Sequence, residues 1–141
     1  MILYEVKVNY QRQTGEDNPG NVREAYLVES MNCSEAERRT IEHIKPFVFG
    51  ELETPLIKKR QFFEILPSDG ENWYEARVEM ITVEDDTEKH KPVNMLVQAD
   101  SISEALRLLN EAVADYDCEV IGIKKSPLLE VMRAELDKKE A

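Results

Sequence analysis

The stretch Val93-Asn94-Met95-Leu96-Val97-Gln98-Ala99-Asp100-Ser101-Ile102-Ser103-Glu104-Ala105-Leu106 decides how this chain is built. Seven residues alternate as a strand does, and Ser101 follows at once with Glu104 three positions on, which is the start signal of a helix. The apolar stripe Ile102, Ala105, Leu106, Leu109, Ala112, Val113 then repeats at spacings of three and four. A strand that runs directly into a capped helix leaves no room for a long connection, so both must pack on one core.

The same design occurs earlier. Ala25-Tyr26-Leu27-Val28-Glu29-Ser30-Met31-Asn32-Cys33-Ser34-Glu35-Ala36 is again strand, cap and helix start, with Asn32 three residues before Glu35. The correspondence extends outward. Tyr4-Glu5-Val6-Lys7-Val8 parallels Tyr74-Glu75-Ala76-Arg77-Val78, and Ile57-Lys58-Lys59 parallels Ile123-Lys124-Lys125. Two residues after each basic run come two apolar residues, a glutamate and two more apolar residues. Four matched segments in one order imply an α+β fold made by tandem duplication of a ββαβ unit. Mainly antiparallel sheets, one helix packed per repeat and a pseudo-two-fold relation are expected. Residues 1–66 form the first repeat, 67–72 the linker, and 73–141 the second repeat with a C-terminal extension.

In chain order, Ile2 to Tyr10 alternate as a half-buried strand, and Gln11 to Asn21 read as a long hairpin loop. Val22 to Ser30 form a second strand. The helix after Asn32 ends near His43 or Ile44, because Pro46 disfavours helical backbone before it. Phe47 to Glu53 read as a connecting turn and Pro55 to Gln61 as a third strand, while Phe62 to Leu66 fit either strand or turn. Pro67-Ser68-Asp69-Gly70-Glu71-Asn72 is the breaker between repeats. Trp73 to Val83 alternate, Glu84 to Lys91 read as an acidic loop, and Glu119 to Lys125 as a strand. Ser126-Pro127 has the form of a helix start and predicts a terminal helix through Arg133, before a frayed tail at Asp137 to Ala141.

Composition narrows the function. Lys and Arg number 18 against 29 Asp and Glu, for a net charge of −11. That field repels phosphate backbones and argues against a nucleic-acid partner. No apolar run approaches the roughly 20 residues that span a bilayer, and Met1-Ile2-Leu3-Tyr4 begins a strand with no signal-peptide pattern, so a cytoplasmic protein with no membrane association is expected. Cys33 and Cys118 have no metal-ligand spacing with each other or with His43 and His90; they read as buried or half-buried thiols in a reducing compartment. No metal site and no cofactor is implied. His43, near a helix end, is expected to meet the helix dipole.

Two sets of residues stand out. Lys58, Lys59 and Arg60, with Lys124 and Lys125, are matched basic clusters on an acidic protein and are the candidate ligand-binding residues for an anionic, nucleotide-like small molecule. Solvated strand lysines that blunt a sheet edge are the simpler explanation. Leu3, Leu27, Trp73 and Leu96 fall opposite the main apolar faces at like positions in the two repeats; they are candidate interface residues, either between the halves or for self-association. No phosphate loop, nucleophile elbow or catalytic series is present. The sequence-level reading is a non-enzymatic binding or interaction protein, oligomeric or engaging a protein partner. An enzyme or sequestering protein for an anionic small molecule is the alternative.

Trp73-Tyr74-Glu75-Ala76-Arg77-Val78, Asn94-Met95-Leu96-Val97-Gln98-Ala99, Tyr26-Leu27-Val28 and Ser34-Glu35-Ala36-Glu37 resemble the family called domain of unknown function 4494. The resemblance covers nearly the whole chain. It implies a setting in Bacteroidetes bacteria and their phages, and carries no activity, cofactor or catalytic residue.

Overall fold

In the computed structural model, which describes residues 2–12 and 20–133, the chain is α+β and divides into two compact units. Unit 1 holds residues up to Arg60 and resumes at Leu128, and unit 2 is Gln61–Pro127. The tip of the hairpin loop and the tail at Asp137 to Ala141 lie outside the described residues.

Unit 1 begins with β1 (Ile2–Arg12) and β2 (Gly20–Ser30), an antiparallel pair in unbroken register from Ile2↔Ser30 to Arg12↔Gly20. The period-two pattern places Tyr4, Val6, Val8 and Tyr10 beside Tyr26 and Val28 on one face. Helix α1 (Cys33–Ile44) covers that face with Ala36, Thr40 and Ile44, one position per turn. Asn32 Oδ1 accepts from Glu35 N at 2.8 Å, as its spacing predicts. A 3-10 turn at Lys45–Phe47 leads to β3 (Val48–Phe49), so part of the expected connecting turn is a short strand against Gln11 and Arg12. β4 (Leu56–Arg60) lies along the other part of the same edge, opposite Leu3 to Lys7.

Unit 2 has β5 (Glu64–Leu66), β6 (Asn72–Glu84), β7 (Thr87–Ala99), α2 (Ile102–Ala112) and β8 (Cys118–Lys125), in sheet order β5-β7-β6-β8. α2 sets Ala105, Leu109 and Val113 on the face made by Tyr74, Ala76, Val78, Met95, Val97 and Ala99. Ser101 Oγ accepts from Glu104 N at 3.2 Å, and Glu104 Oε2 accepts from Asp100 N at 3.4 Å. Replacing either cap, Asn32→Ala or Ser101→Ala, should cost about 1 kcal/mol in urea unfolding.

The expected acidic loop at Glu84 to Lys91 is instead the end of the β6–β7 hairpin. Register runs out to Glu84↔Thr87, and the turn residues Asp85 and Asp86 have φ of 51° and 61°, the left-handed geometry of a type I′ turn. Aspartate adopts that region more readily than most residues. Lys89 Nζ also lies 2.9 Å from Glu84 Oε2, offsetting carboxylate repulsion. The expected terminal helix is also a strand, β9 (Leu128–Met132), parallel to β2. Leu128 is buried and Met132 packs against the unit 1 core, and so short a segment gains more from a sheet edge than from an isolated helical turn.

The spatial division therefore does not fall at residues 67–72. Glu64-Ile65-Leu66 joins the unit 2 sheet, paired Glu64↔Met95, Ile65↔Leu96, Leu66↔Val97. Glu130-Val131-Met132 joins the unit 1 sheet, paired with Tyr26, Leu27 and Val28. Reach explains both. A strand placed outside β2 in β4's own sheet lies three strand spacings from β4, about 14 Å. Four residue steps, Arg60 to Glu64, span about 13 Å. The three steps from Lys125 to Leu128 span about 10 Å, so β9 cannot reach the outer side of β7. The breaker at Pro67 to Asn72 is held instead within unit 2, where Gln98 accepts from Ser68 N at 3.0 Å and donates to Gly70 O at 2.9 Å.

Candidate functional site

The basic residues of unit 1 gather about a carboxylate, and those of unit 2 stand exposed on β8. In unit 1, Glu5 is only 5% exposed. It lies opposite Lys58 in the β1–β4 register, and its carboxylate takes Arg60 Nη1 at 2.6 Å, Lys7 Nζ at 3.6 Å and Lys58 Nζ at 3.9 Å. The cluster thus neutralises a carboxylate that burial would otherwise penalise. Lys59 lies opposite Tyr4 and is exposed. In unit 2, Lys124 lies opposite Glu75 and Lys125 opposite Tyr74, both lysines exposed. The β8 edge beside them is broken by a register shift between Arg77 and Val78, and bulges and lysines are features that blunt edge-to-edge pairing.

Leu27 and Leu96 are fully buried, Trp73 is buried and Leu3 half-buried within the single chain. Leu27 lies between Glu5 and Val131 in its sheet, and Leu96 between Glu75 and Ile65. Cys33 is exposed rather than buried, at the open first turn of α1, and Cys118 is half-buried. Among the described residues no three His, Cys, Asp or Glu side chains converge where a metal could be held. No described helix is long and apolar enough to cross a membrane.

The densest polar arrangement is one that sequence reasoning missed. Glu24 sits on the apolar side of β2, in the alternation Val22, Glu24, Tyr26, Val28, and its side chain is 8% exposed. The Tyr10 and Tyr26 hydroxyls donate to its Oε1, and Arg12 Nη1 donates to Oε2 at 3.0 Å. Arg12 also lies 4.4 Å over the Phe47 ring. Tyr26 meets His43 edge to face, and His43 Nε2 is 2.8 Å from Glu130 Oε2 on β9. The helix-end histidine therefore has a carboxylate partner from a segment nearly ninety residues away in sequence. Desolvation by burial, reinforced by Glu24, pushes the Tyr10 phenol up to about 12 and holds the Tyr26 phenol higher still. At the same offsets in the matched sequence segments stand Met80, Val93, Met95 and Ala112, none of them charged. The sequence did carry a signal: a glutamate on the core parity of a strand, beside two tyrosines of the same parity.

At the β5 edge of unit 2, Phe63 and Tyr116 stack edge to face with centroids 5.6 Å apart, exposed by 45% and 49%. Phe63 N donates to Asn94 O at 2.8 Å, which fixes the backbone beneath the ring. Nothing in the sequence pattern pairs these residues, because fifty-three positions separate them.

No curated protein and no solved structure matches the chain. A family profile described as Domain of unknown function (DUF4494) matches residues 2–134. That span takes in both units, both capped helices and the two strands that cross between units, and the chain belongs to this family.

Proposed function

We propose that the chain is a non-enzymatic interaction protein that engages a protein surface, its own second copy included, through the β5 edge of unit 2. The observation that carries this reading is the Phe63–Tyr116 pair, two aromatic rings in mutual contact that stay about half exposed beside an edge strand. Isolated exposed apolar residues are ordinary, but a contiguous aromatic pair supplies the contact area and rigidity of an interface anchor. The charged groups closest to chemistry have internal partners: Glu5 has Arg60, Glu24 has Arg12 and two phenols, and His43 has Glu130. The scaffold is, in this reading, a tandem duplication of one ββαβ unit, which would make its halves pseudo-two-fold equivalents; the like registers of β5 and β9 support it.

A photo-crosslinking phenylalanine analogue at position 63, in cells that naturally make the protein, should give a discrete adduct that the same analogue at the exposed Asn110 does not. Light scattering against concentration identifies a self-adduct, which Phe63→Ser should weaken at least tenfold. A strict monomer with no adduct at position 63 sinks the reading. Genes neighbouring this one would test the phage or mobile-element setting. The competing reading is an enzyme or sequestering protein that holds an anionic small molecule on Lys58, Lys59, Arg60, Lys124 and Lys125. It has less support, since Lys58 and Arg60 are directed at Glu5. Thermal stabilisation by a nucleotide, lost in Lys59→Ala or Lys124→Ala, would revive it.

A further inference from the structure

We infer that β9 is an exchangeable strand, and that unit 1 can take Leu128–Met132 from a second copy of this chain in place of its own. The inference is independent of the Phe63–Tyr116 edge. It begins from how unit 1 is completed. The outer side of β2 is filled by five residues that arrive about one hundred positions later in sequence, after the whole of unit 2. Their seat is local and specific. Leu128 is buried opposite Ala25, and Glu130, Val131 and Met132 pair with Tyr26, Leu27 and Val28. Glu130 Oε2 meets His43 Nε2 at 2.8 Å, and Arg133 Nε lies 3.8 Å from Glu29 Oε2. Every one of these contacts is between β9 with its flanking Arg133 and residues 25–43. A β9 from another copy satisfies all of them equally.

The delivery of β9 favours exchange. Only Ser126 and Pro127 connect it to β8, and Ser126 N is already held by Trp73 O at 2.8 Å inside unit 2. Proline restricts that hinge further, and short, stiff hinges are those that tend to open outward and swap. The chain has also used this route once before along its length. β5 follows a short connection out of β4 and completes the other sheet in the same parallel register, Glu64 opposite Met95 as Glu130 is opposite Tyr26. Strand donation across a short hinge is thus how both sheets are completed. In the exchanged pair, each copy's Leu128–Met132 completes the other's unit 1 sheet.

Closure within one chain competes with exchange through effective concentration, on the order of 1 mM for a short connection. Full-length protein, with Cys33→Ser and Cys118→Ser, should therefore refold from denaturant to monomer at micromolar concentration. Near-millimolar refolding should yield a dimer that persists for hours on dilution, read by size exclusion with light scattering. Glu29→Cys with Arg133→Cys distinguishes this dimer from surface association. Oxidised dimer should run as covalently linked chains on a non-reducing gel, whereas monomer carries the bond within one chain. If only monomer forms at every refolding concentration, or if the dimer's bonds are all intrachain, the inference is overturned. Adding Phe63→Ser should leave the linked dimer intact, which separates this exchange from association through the aromatic pair.

Discussion

Glu24→Ala should be the most damaging single substitution in unit 1, at about 3 kcal/mol. The carboxylate is buried, and its loss leaves the Tyr10 and Tyr26 hydroxyls and the Arg12 guanidinium without the acceptor that holds all three. The two phenols, in residues 3% and 4% exposed, carry the cost of lost hydration when unpaired, whereas Arg12, its side chain 37% exposed, can turn to water. Glu24→Gln should cost less, because an amide oxygen still accepts from a phenol but brings no charge for Arg12. Urea unfolding followed by far-ultraviolet circular dichroism measures both; a loss under about 0.5 kcal/mol for Glu24→Ala would show that the cluster contributes nothing to unit 1.

The same cluster sets an alkaline limit. Folding raises both phenols above their ordinary value of 10, Tyr10 to about 12, so the unfolded chain ionises first. Their stabilisation is intact below pH 10; the Tyr10 share is lost as pH rises through about 12 and the Tyr26 share above that, at roughly 1.4 kcal/mol for each unit of displacement. In Glu24→Ala the remaining phenols lose the carboxylate's repulsion and hydrogen bond, so their titration, followed by tyrosinate absorbance, should move down toward 10.

Gly70→Ala should have an effect of similar size in unit 2. A Cβ at position 70 would stand 2.4 Å from both the carbonyl carbon and the Cα of Ala99, and 2.7 Å from its nitrogen. These are backbone atoms at the end of a core strand, so no side chain can turn aside. Ala99 is itself fully buried beneath α2, and Gln98 ties the Gly70 carbonyl and Ser68 to that strand. Overpacking of this kind costs about 3 kcal/mol. Trp73, the single tryptophan, lies in unit 2 and reports the loss by fluorescence. Gly20→Ala meets nothing within 4 Å and should stay within about 0.5 kcal/mol. Equal midpoints for the two variants would show that the Gly70–Ala99 approach imposes no constraint.

Several elements were legible before any coordinates, for local reasons. Asn32 and Ser101 announced both helices because a cap needs only three residues of context. The parity of Tyr4, Val6, Val8, Tyr10 and of Tyr74, Ala76, Val78 named the covered faces because side chains alternate in any strand. The stretch Val93 to Leu106 is a strand and a capped helix as its pattern states. The role of Gln98 within it is tertiary, since its side chain holds the breaker at Ser68 and Gly70. At Glu84 to Lys91 the run of charge suggests a loop, whereas two aspartates able to adopt positive φ decide a tight turn.

What the tertiary structure alone decided was which segments meet. Phe62 to Leu66 and Leu128 to Met132 are matched runs in the sequence, but their destinations depend on what three or four residue steps can span against three strand spacings. That comparison is made only once the sheets exist. Glu24 was visible as a charge on an apolar parity. Its partners, two phenols and a guanidinium, and the His43–Glu130 contact beside it depended on β1, α1 and β9 reaching one place. Alternation and capping are written within a few neighbouring residues, so one chain read alone displays them. Partner choice across ten to one hundred residues is set by connection length and by competition among edges, and only the folded chain resolves that competition.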